Sequence, residues 1–171
     1  MYLVYLLAPL LQATPNSRLV MVSARAIDWV RKIPAWETDN TEASKYSLSN
    51  AYANSKLANI TFANVMQKRL GDGVFVNSVD PGPVATNILT KVQNPWISTV
   101  LGFVVSMVGK NARDGAINQL YCSAATEIET LNVHATYFVS AQGCEIFHKR
   151  LSFLSSSSAE QPLLTKCDSF L

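Results

Sequence analysis

Apolar residues along this chain fall into short blocks separated by turn-forming residues, and the spacing within each block predicts its conformation. Residues 3–11 are apolar and read as the end of a helix, with Pro9 where a kink or exit is expected. Residues 12–17 carry Gln, Ala, Thr, Pro, Asn and Ser and form a turn. Residues 18–23 (RLVMVS) are a short apolar run with two valines, as in a strand covered on both faces. Residues 25–50 are polar and irregular and include Trp29 and Trp36; at that length the stretch is a working loop rather than a linker.

The clearest helix spans residues 51–70. Ala53, Leu57, Ile60 and Val65 sit near helical spacing, and Gln67, Lys68 and Arg69 suit its carboxyl end. Gly71-Asp72-Gly73 stops it. Residues 74–79 (VFVNSV) form a second strand, closed by Asp80-Pro81-Gly82-Pro83, and a long connection leads to a helix over 111–126. Residues 135–140 (ATYFVS) form a third strand. Strands alternating with helices in this order predict an α/β fold around a parallel sheet. Past Gly143 the pattern dissolves, so residues 1–143 read as one structural unit and 144–171, with the serine run 155–158, as a divergent, loosely held tail.

Composition narrows the function classes. With 171 residues, 49% hydrophobic and 15% charged, the chain has the makings of one packed domain and not of a disordered segment. A net charge of +2 without a basic run leaves no electrostatic footprint for nucleic acid. The 2 His and 3 Cys form no C-x-x-C and no H-E-x-x-H motif, so a zinc site is not expected. The odd cysteine count points to a reducing compartment, and the expected location is the cytoplasm. Residues 1–11 lack the basic start and small-residue cleavage site of a secretory signal. Residues 96–108 (WISTVLGFVVSMV) are too short to span a bilayer as a helix; they either roof an apolar pocket or lie against an intracellular membrane surface. Asn59-Ile60-Thr61 is a formal glycosylation sequon placed in the middle of a helix, where it is expected to be fortuitous.

Tyr52 and Lys56 are the candidate chemistry. At positions i and i+4 of the strongest helix their side chains leave from one face. An ammonium beside a phenol favours the phenolate, and a phenol tuned in this way exchanges a proton with an alcohol or carbonyl oxygen. The spacing by itself also fits a solvated surface pair.

The stretches NAYANSKLAN around Tyr52, VNSVDPGPVATNI after the second strand, RDGAINQLYCSAATEIE and ATYF together resemble the short-chain dehydrogenase/reductase family, in its retinol-dehydrogenase-like branch. The resemblance covers residues 3–138 and implies the last three strands, with flanking helices, of an incomplete Rossmann-like parallel sheet. It implies hydride transfer with NADP or NAD on a hydrophobic alcohol or carbonyl. Tyr52 matches the catalytic acid/base and Lys56 the lysine that tunes it and holds the nicotinamide ribose. Pro81, Gly82 and Val84 match the turn that meets the nicotinamide carboxamide, and Thr86 a hydroxyl contact to the cofactor.

This sequence departs from the family in three places. Ser23-Ala24 stands where the family has two serines, so Ala24 occupies the aligned catalytic position and Ser23 is the candidate only if a bulge re-aims it. The glycine-rich phosphate cradle, with the discriminator between NAD and NADP, is expected upstream of Met1. Third, residues 152–171 do not match the family's C-terminal helix; Asp80 in place of the branch's usual histidine before Pro-Gly is a minor change. The alternative reading is a catalytically inactive relative that dimerises, with itself or a full-length member, through the Tyr52 helix.

Overall fold

In the computed structural model, residues 1–30, 34, 46–84, 109–140 and 146–149 are described. Helix α1 (Tyr2–Ala13) leads into strand β1 (Ser17–Val22), a short 3-10 turn (Arg25–Trp29) and the long helix α2 (Leu48–Leu70). Strand β2 (Val74–Asp80) follows, then helices α3 (Ala112–Gly115), α4 (Ile117–Ala124) and α5 (Glu127–Thr130), and strands β3 (Tyr137–Ser140) and β4 (Ile146–Lys149). The sheet order is β1-β2-β3-β4. The first three strands are parallel, as expected, with Ser17 opposite Val74 and Ser78 opposite Tyr137. β4 runs antiparallel beside β3, a fourth strand that the residue pattern past Gly143 does not announce. On its other edge β1 meets no strand among the described residues.

All seven residues of β2 are buried, because helices cover both faces of the sheet. Alternation along the strands divides them cleanly. Val74 and Val76, with Leu19 and Met21 of β1, pack under Phe62, Ala63 and Met66 of α2 and Val4, Tyr5 and Ala8 of α1. Phe75, Val79 and Phe138 face the other way, against Cys122 of α4 and Ile128 of α5. A third cluster, Leu57 and Ile60 with Ile27, Tyr137 and Val139, extends the core towards the carboxyl ends of the strands.

Polar groups fix the connections. Gln67, buried near the end of α2, donates from Nε2 to the carbonyls of Gly71 and Val74 (3.0 and 2.9 Å) and accepts the Val76 N–H on Oε1 (2.8 Å). Gly71, at φ +81°, ends the helix in the left-handed region as its sequence position predicts. Asn77 ties β2 to the approach of β3 through Val133 O and Thr136 N–H.

Besides β4, and β3 beginning at Tyr137 rather than at residue 135, the helices differ from the pattern read off the sequence. α1 continues past Pro9 to Ala13. α2 begins three residues earlier than expected, at Leu48. The helix expected over 111–126 is broken into α3 and α4, with Ala125 extended at ψ 133° before α5 begins at Glu127. Cys122 and Ile128 both point into the core, yet on a continuous helix positions six apart lie about 120° around the axis. The break brings both inward, and the Arg18–Glu129 ion pair holds α5 against β1. Among the described residues no helix is long and apolar enough to cross a membrane. Residues 96–108, Trp36 and the tail 152–171 lie outside the described residues.

Candidate active site

A helix that returns a chain from one parallel strand to the next runs antiparallel to both, so the first turns of α2 lie over the carboxyl ends of β1 and β2. Two hydrogen bonds lock it there. Ser23 Oγ donates to the Lys56 carbonyl at 2.8 Å and Asn59 Nδ2 donates to the Val22 carbonyl at 3.0 Å. The sequon asparagine is therefore a structural tether. In open α/β sheets the crevice outside these strand ends is where ligands bind.

Tyr52 and Lys56 share one face of α2, with Lys56 Nζ 5.6 Å from the centroid of the Tyr52 ring and over its face. The Tyr52 side chain is 47% exposed. Its phenol is pushed above its ordinary range, first by burial and then by the Asp80 carboxylate. The sequence pattern predicts the opposite direction. The ammonium is drawn to the negative face of the ring, and a buried acid that no spacing rule connects to Tyr52 acts against it.

Asp80 ends β2 on the face that α2 covers, in line with Val74, Val76 and Ser78, and is 2% exposed. Its Oδ1 accepts the Gly82 N–H at 2.9 Å, while Oδ2 has no partner of ordinary hydrogen-bond geometry. Burial pushes this carboxyl up, against the Gly82 N–H and the Arg25 guanidinium and amide, with Asp28 adding to the rise. Across the sheet the buried Tyr137 hydroxyl also lacks a partner of ordinary geometry. Its phenol is pushed up by burial first, then by Asp80 and Asp28, with Arg25 and the nearby Ser23 hydroxyl opposing. Asp80 and Tyr137 are the site residues that residue spacing does not reveal. The available signal is a carboxylate closing a wholly apolar strand.

The turn after β2 is held from several sides. Asn118 Nδ2 donates to Asp80 O at 2.9 Å and the Lys110 N–H donates to Pro83 O at 2.8 Å. Gly82 takes φ +74°, which a side chain would resist. Val84 bridges to Lys110 and packs on Gly115, where an added Cβ would fall 2.5 Å from Val84 Cγ2. Pro81, Gly82 and Val84 thus form a fixed ledge at the end of β2, and Thr86 lies outside the described residues. Ser23 is buried with its proton engaged by Lys56 O, and Ala24 beside it has no hydroxyl.

A nicotinamide dinucleotide is the group this arrangement has to be tested against. Lys56 makes no ion pair among the described residues and stands over the ring of the phenol, which fits the nicotinamide-ribose end. No glycine-rich strand-to-helix turn for the pyrophosphate occurs among the described residues. Gly71-Asp72-Gly73 lies between α2 and β2, at the far end of α2 from Tyr52.

No family model matches the sequence. It is 31% identical over 153 residues to dehydrogenase/reductase SDR family member 13 of Bos taurus, covering 84% of this chain and 38% of that protein. With retinol dehydrogenase 12 of Homo sapiens it shares 35% over 131 residues, covering 76% of this chain and 40% of the relative. With the WW domain-containing oxidoreductase of Gallus gallus it shares 32% over 149 residues, 84% of this chain and 35% of the relative. The chain thus spans about two fifths of the length of these curated relatives. An uncharacterised protein of Mycobacterium paratuberculosis has the same fold, with TM-score 0.56 and 21% identity over 91% of this chain and 50% of that one. The parallel sheet, the helices on both its faces and these relatives agree, and the chain belongs to the short-chain dehydrogenase/reductase family, with retinol dehydrogenases among its relatives.

Proposed function

We propose that this chain carries the proton-transfer and nicotinamide-binding part of an NAD(P)-dependent oxidoreductase acting on a hydrophobic alcohol or carbonyl. The supporting observation is the stacked Tyr52–Lys56 pair over the carboxyl ends of the parallel strands. Tyr52 Oη passes a proton to, or takes one from, the substrate oxygen. Lys56 would hold the ribose, and the backbone of Pro81, Gly82 and Val84 would hold the carboxamide. When bound, the nicotinamide supplies or accepts hydride. Ser23 faces inward, so a second donor to the substrate oxygen is missing from the expected place. Loss of such a donor typically lowers rates by about 10²–10³, and turnover should be slow. The apolar stretch 96–108 supports a hydrophobic substrate.

The test is turnover by this chain of a panel of hydrophobic alcohols and aldehydes with each nucleotide, alongside the NMR signals of 13Cζ-labelled tyrosines. Consumption of nucleotide that Tyr52→Phe abolishes, with a nucleotide-dependent shift of the Tyr52 signal, is the expected result. No turnover and no shift with either NADH or NADPH overturns the reading.

A second reading, an inactive relative acting by association, draws on α1. That helix has no charged residue and no buried one, and Tyr2, Leu3, Leu6, Leu7 and Leu10 are exposed along it. An apolar surface of this kind favours self-association beside α2, with a second copy or a longer relative. Sedimentation of the wild type as a dimer, and of Leu6→Glu/Leu10→Glu as a monomer, would support it. A wild-type monomer that fails to pair with an intact family member would remove it.

A further inference from the structure

The sequence holds two Asp-Gly pairs, Asp72–Gly73 and Asp114–Gly115, and no Asn-Gly pair. Where glycine follows aspartate, no Cβ shields the glycine nitrogen or restricts the backbone, so that nitrogen can reach the preceding side-chain carboxyl. The attack needs a peptide nitrogen not engaged as a hydrogen-bond donor and a chain free to turn. The fold gives the two pairs opposite settings.

Asp72 and Gly73 are exposed in the turn between α2 and β2. The Val74 N–H closes this turn on the Gly71 carbonyl at 3.3 Å, and the turn's own bond uses neither of the two middle amides. Among the described residues the Gly73 N–H donates to no acceptor, and the Asp72 carboxylate has neither an ion pair nor a hydrogen bond. A Cβ built on Gly73 would meet nothing within 4 Å, so no neighbour crowds this peptide. At Asp114–Gly115 each condition is reversed. The Gly115 N–H donates to Asn111 O at 2.9 Å, Asn111 Nδ2 donates to Asp114 Oδ2 at 2.8 Å, and Gly115 is buried against Val84. Asn77, before Ser78, is closed in the same way, 1% exposed with Nδ2 donating to Val133 O and Oδ1 accepting the Thr136 N–H.

We propose that Asp72–Gly73 is a modification site at which aspartate converts to isoaspartate, with water as the reactant. The Gly73 nitrogen bonds to Asp72 Cγ, and the carboxyl hydroxyl and the amide hydrogen leave as water, giving a five-membered imide. A second water reopens the ring. Opening at the main-chain carbonyl leaves the backbone running through Cβ and Cγ of Asp72, one methylene longer, and nothing is oxidised or reduced. The added methylene falls between Gly71 and Val74, whose carbonyls Gln67 Nε2 holds at 3.0 and 2.9 Å, so the isomer loosens the clasp between the end of α2 and the start of β2.

The test holds the full chain at neutral pH in heavy-oxygen water, with a parallel sample in urea, then digests both in ordinary water for tandem mass spectrometry. Each ring opening leaves one heavy oxygen on the residue. In the folded chain the expected result is label at Asp72, with isoaspartate beside it, and none at Asp114; in urea both pairs take label. The amide signals of Val74 and Val76 should gain a second set that grows with the label. Asp72→Glu, which would have to close a larger ring, should lose the label and the second set together. A folded chain unlabelled at Asp72, or labelled equally at the two pairs, overturns the proposal. Label at Asp72 without a second set of signals overturns the loosening of the Gln67 clasp.

Discussion

Replacing Gly115 by alanine puts a methyl group into space that Val84 already occupies. The new Cβ would lie 2.5 Å from Val84 Cγ2, 3.1 Å from Cγ1 and 3.4 Å from Cβ. Two of the three substituents on the Val84 Cβ face the glycine, so turning χ1 by a full rotamer step always leaves at least one methyl in the way. Relief must come from the backbone. The ledge cannot move freely, because Asn118 holds Asp80 O and Lys110 holds Pro83 O. Overpacking of this kind costs about 1–3 kcal/mol, read as a lower urea midpoint at unchanged slope. Because the clash is with Val84, the double variant Gly115→Ala/Val84→Ala should recover most of that loss relative to Val84→Ala alone, a coupling of about 1–2 kcal/mol. Amide signals of Gly82 and Val84 should shift in the single variant and return towards the Val84→Ala positions in the double. Additive effects of the two substitutions would show that the ledge is not seated on Gly115, and with it the argument for a preformed nicotinamide platform would fail.

Gln67→Leu removes the partners of the Val76 N–H and the Gly71 and Val74 carbonyls in a buried corner. It should cost about 2–4 kcal/mol in urea unfolding, whereas an exposed polar substitution such as Asp72→Asn should cost almost nothing. Ala135 holds φ +47° while its N–H bonds to Val76 O. Ala135→Gly relieves that left-handed strain and should raise stability by about 0.5–1 kcal/mol after the added freedom of the unfolded chain is counted; a loss would show the strain is not there.

What the sequence discloses and what it hides follow from the range of each interaction. The three parallel strands and α2 are visible in residue order, since valine-rich runs and the Ala53, Leu57, Ile60 spacing are local signals. The Tyr52–Lys56 pair is visible for the same reason, one helical turn being a local distance. Asp80 acts on Tyr52 from another element, 28 positions along the chain, and no periodicity links them. Gly115 carries no signal of its own within the helix expected over 111–126 until Val84 is found against it. Ser23 reads as a displaced catalytic serine, yet its bond to Lys56 O makes it a clasp between β1 and α2. The end of α4 at Ala124 and the separate start of α5 depend on Ile128 and Glu129 reaching back to the sheet, which only the folded topology specifies.

The acidic groups buried around the sheet also fix how stability depends on pH. Cys122 is 1% exposed, and burial pushes its thiol from 9.0 up to about 12, with the Arg18 guanidinium opposing. Burial likewise raises the phenols of Tyr137 and Tyr121. For each, the folded state keeps its proton after the unfolded chain has lost it. The stability tied to these protons is therefore complete below the unfolded values, and it drains away as pH climbs through the interval up to the folded ones. Above about pH 9 the Cys122 thiol removes up to about 1.4 kcal/mol per pH unit, its whole interval amounting to about 4 kcal/mol at most, and the phenols add to the fall only above about pH 10. Urea midpoints measured from neutral pH into the alkaline range should fall steadily. In Cys122→Ala the cavity lowers stability by a pH-independent amount, so the comparison lies in the slope, which should be shallower than in the wild type from about pH 9 upward. Parallel slopes in the two proteins would mean that the thiol ionises as readily in the folded chain as in the unfolded one, and that α4 does not seal it against the sheet.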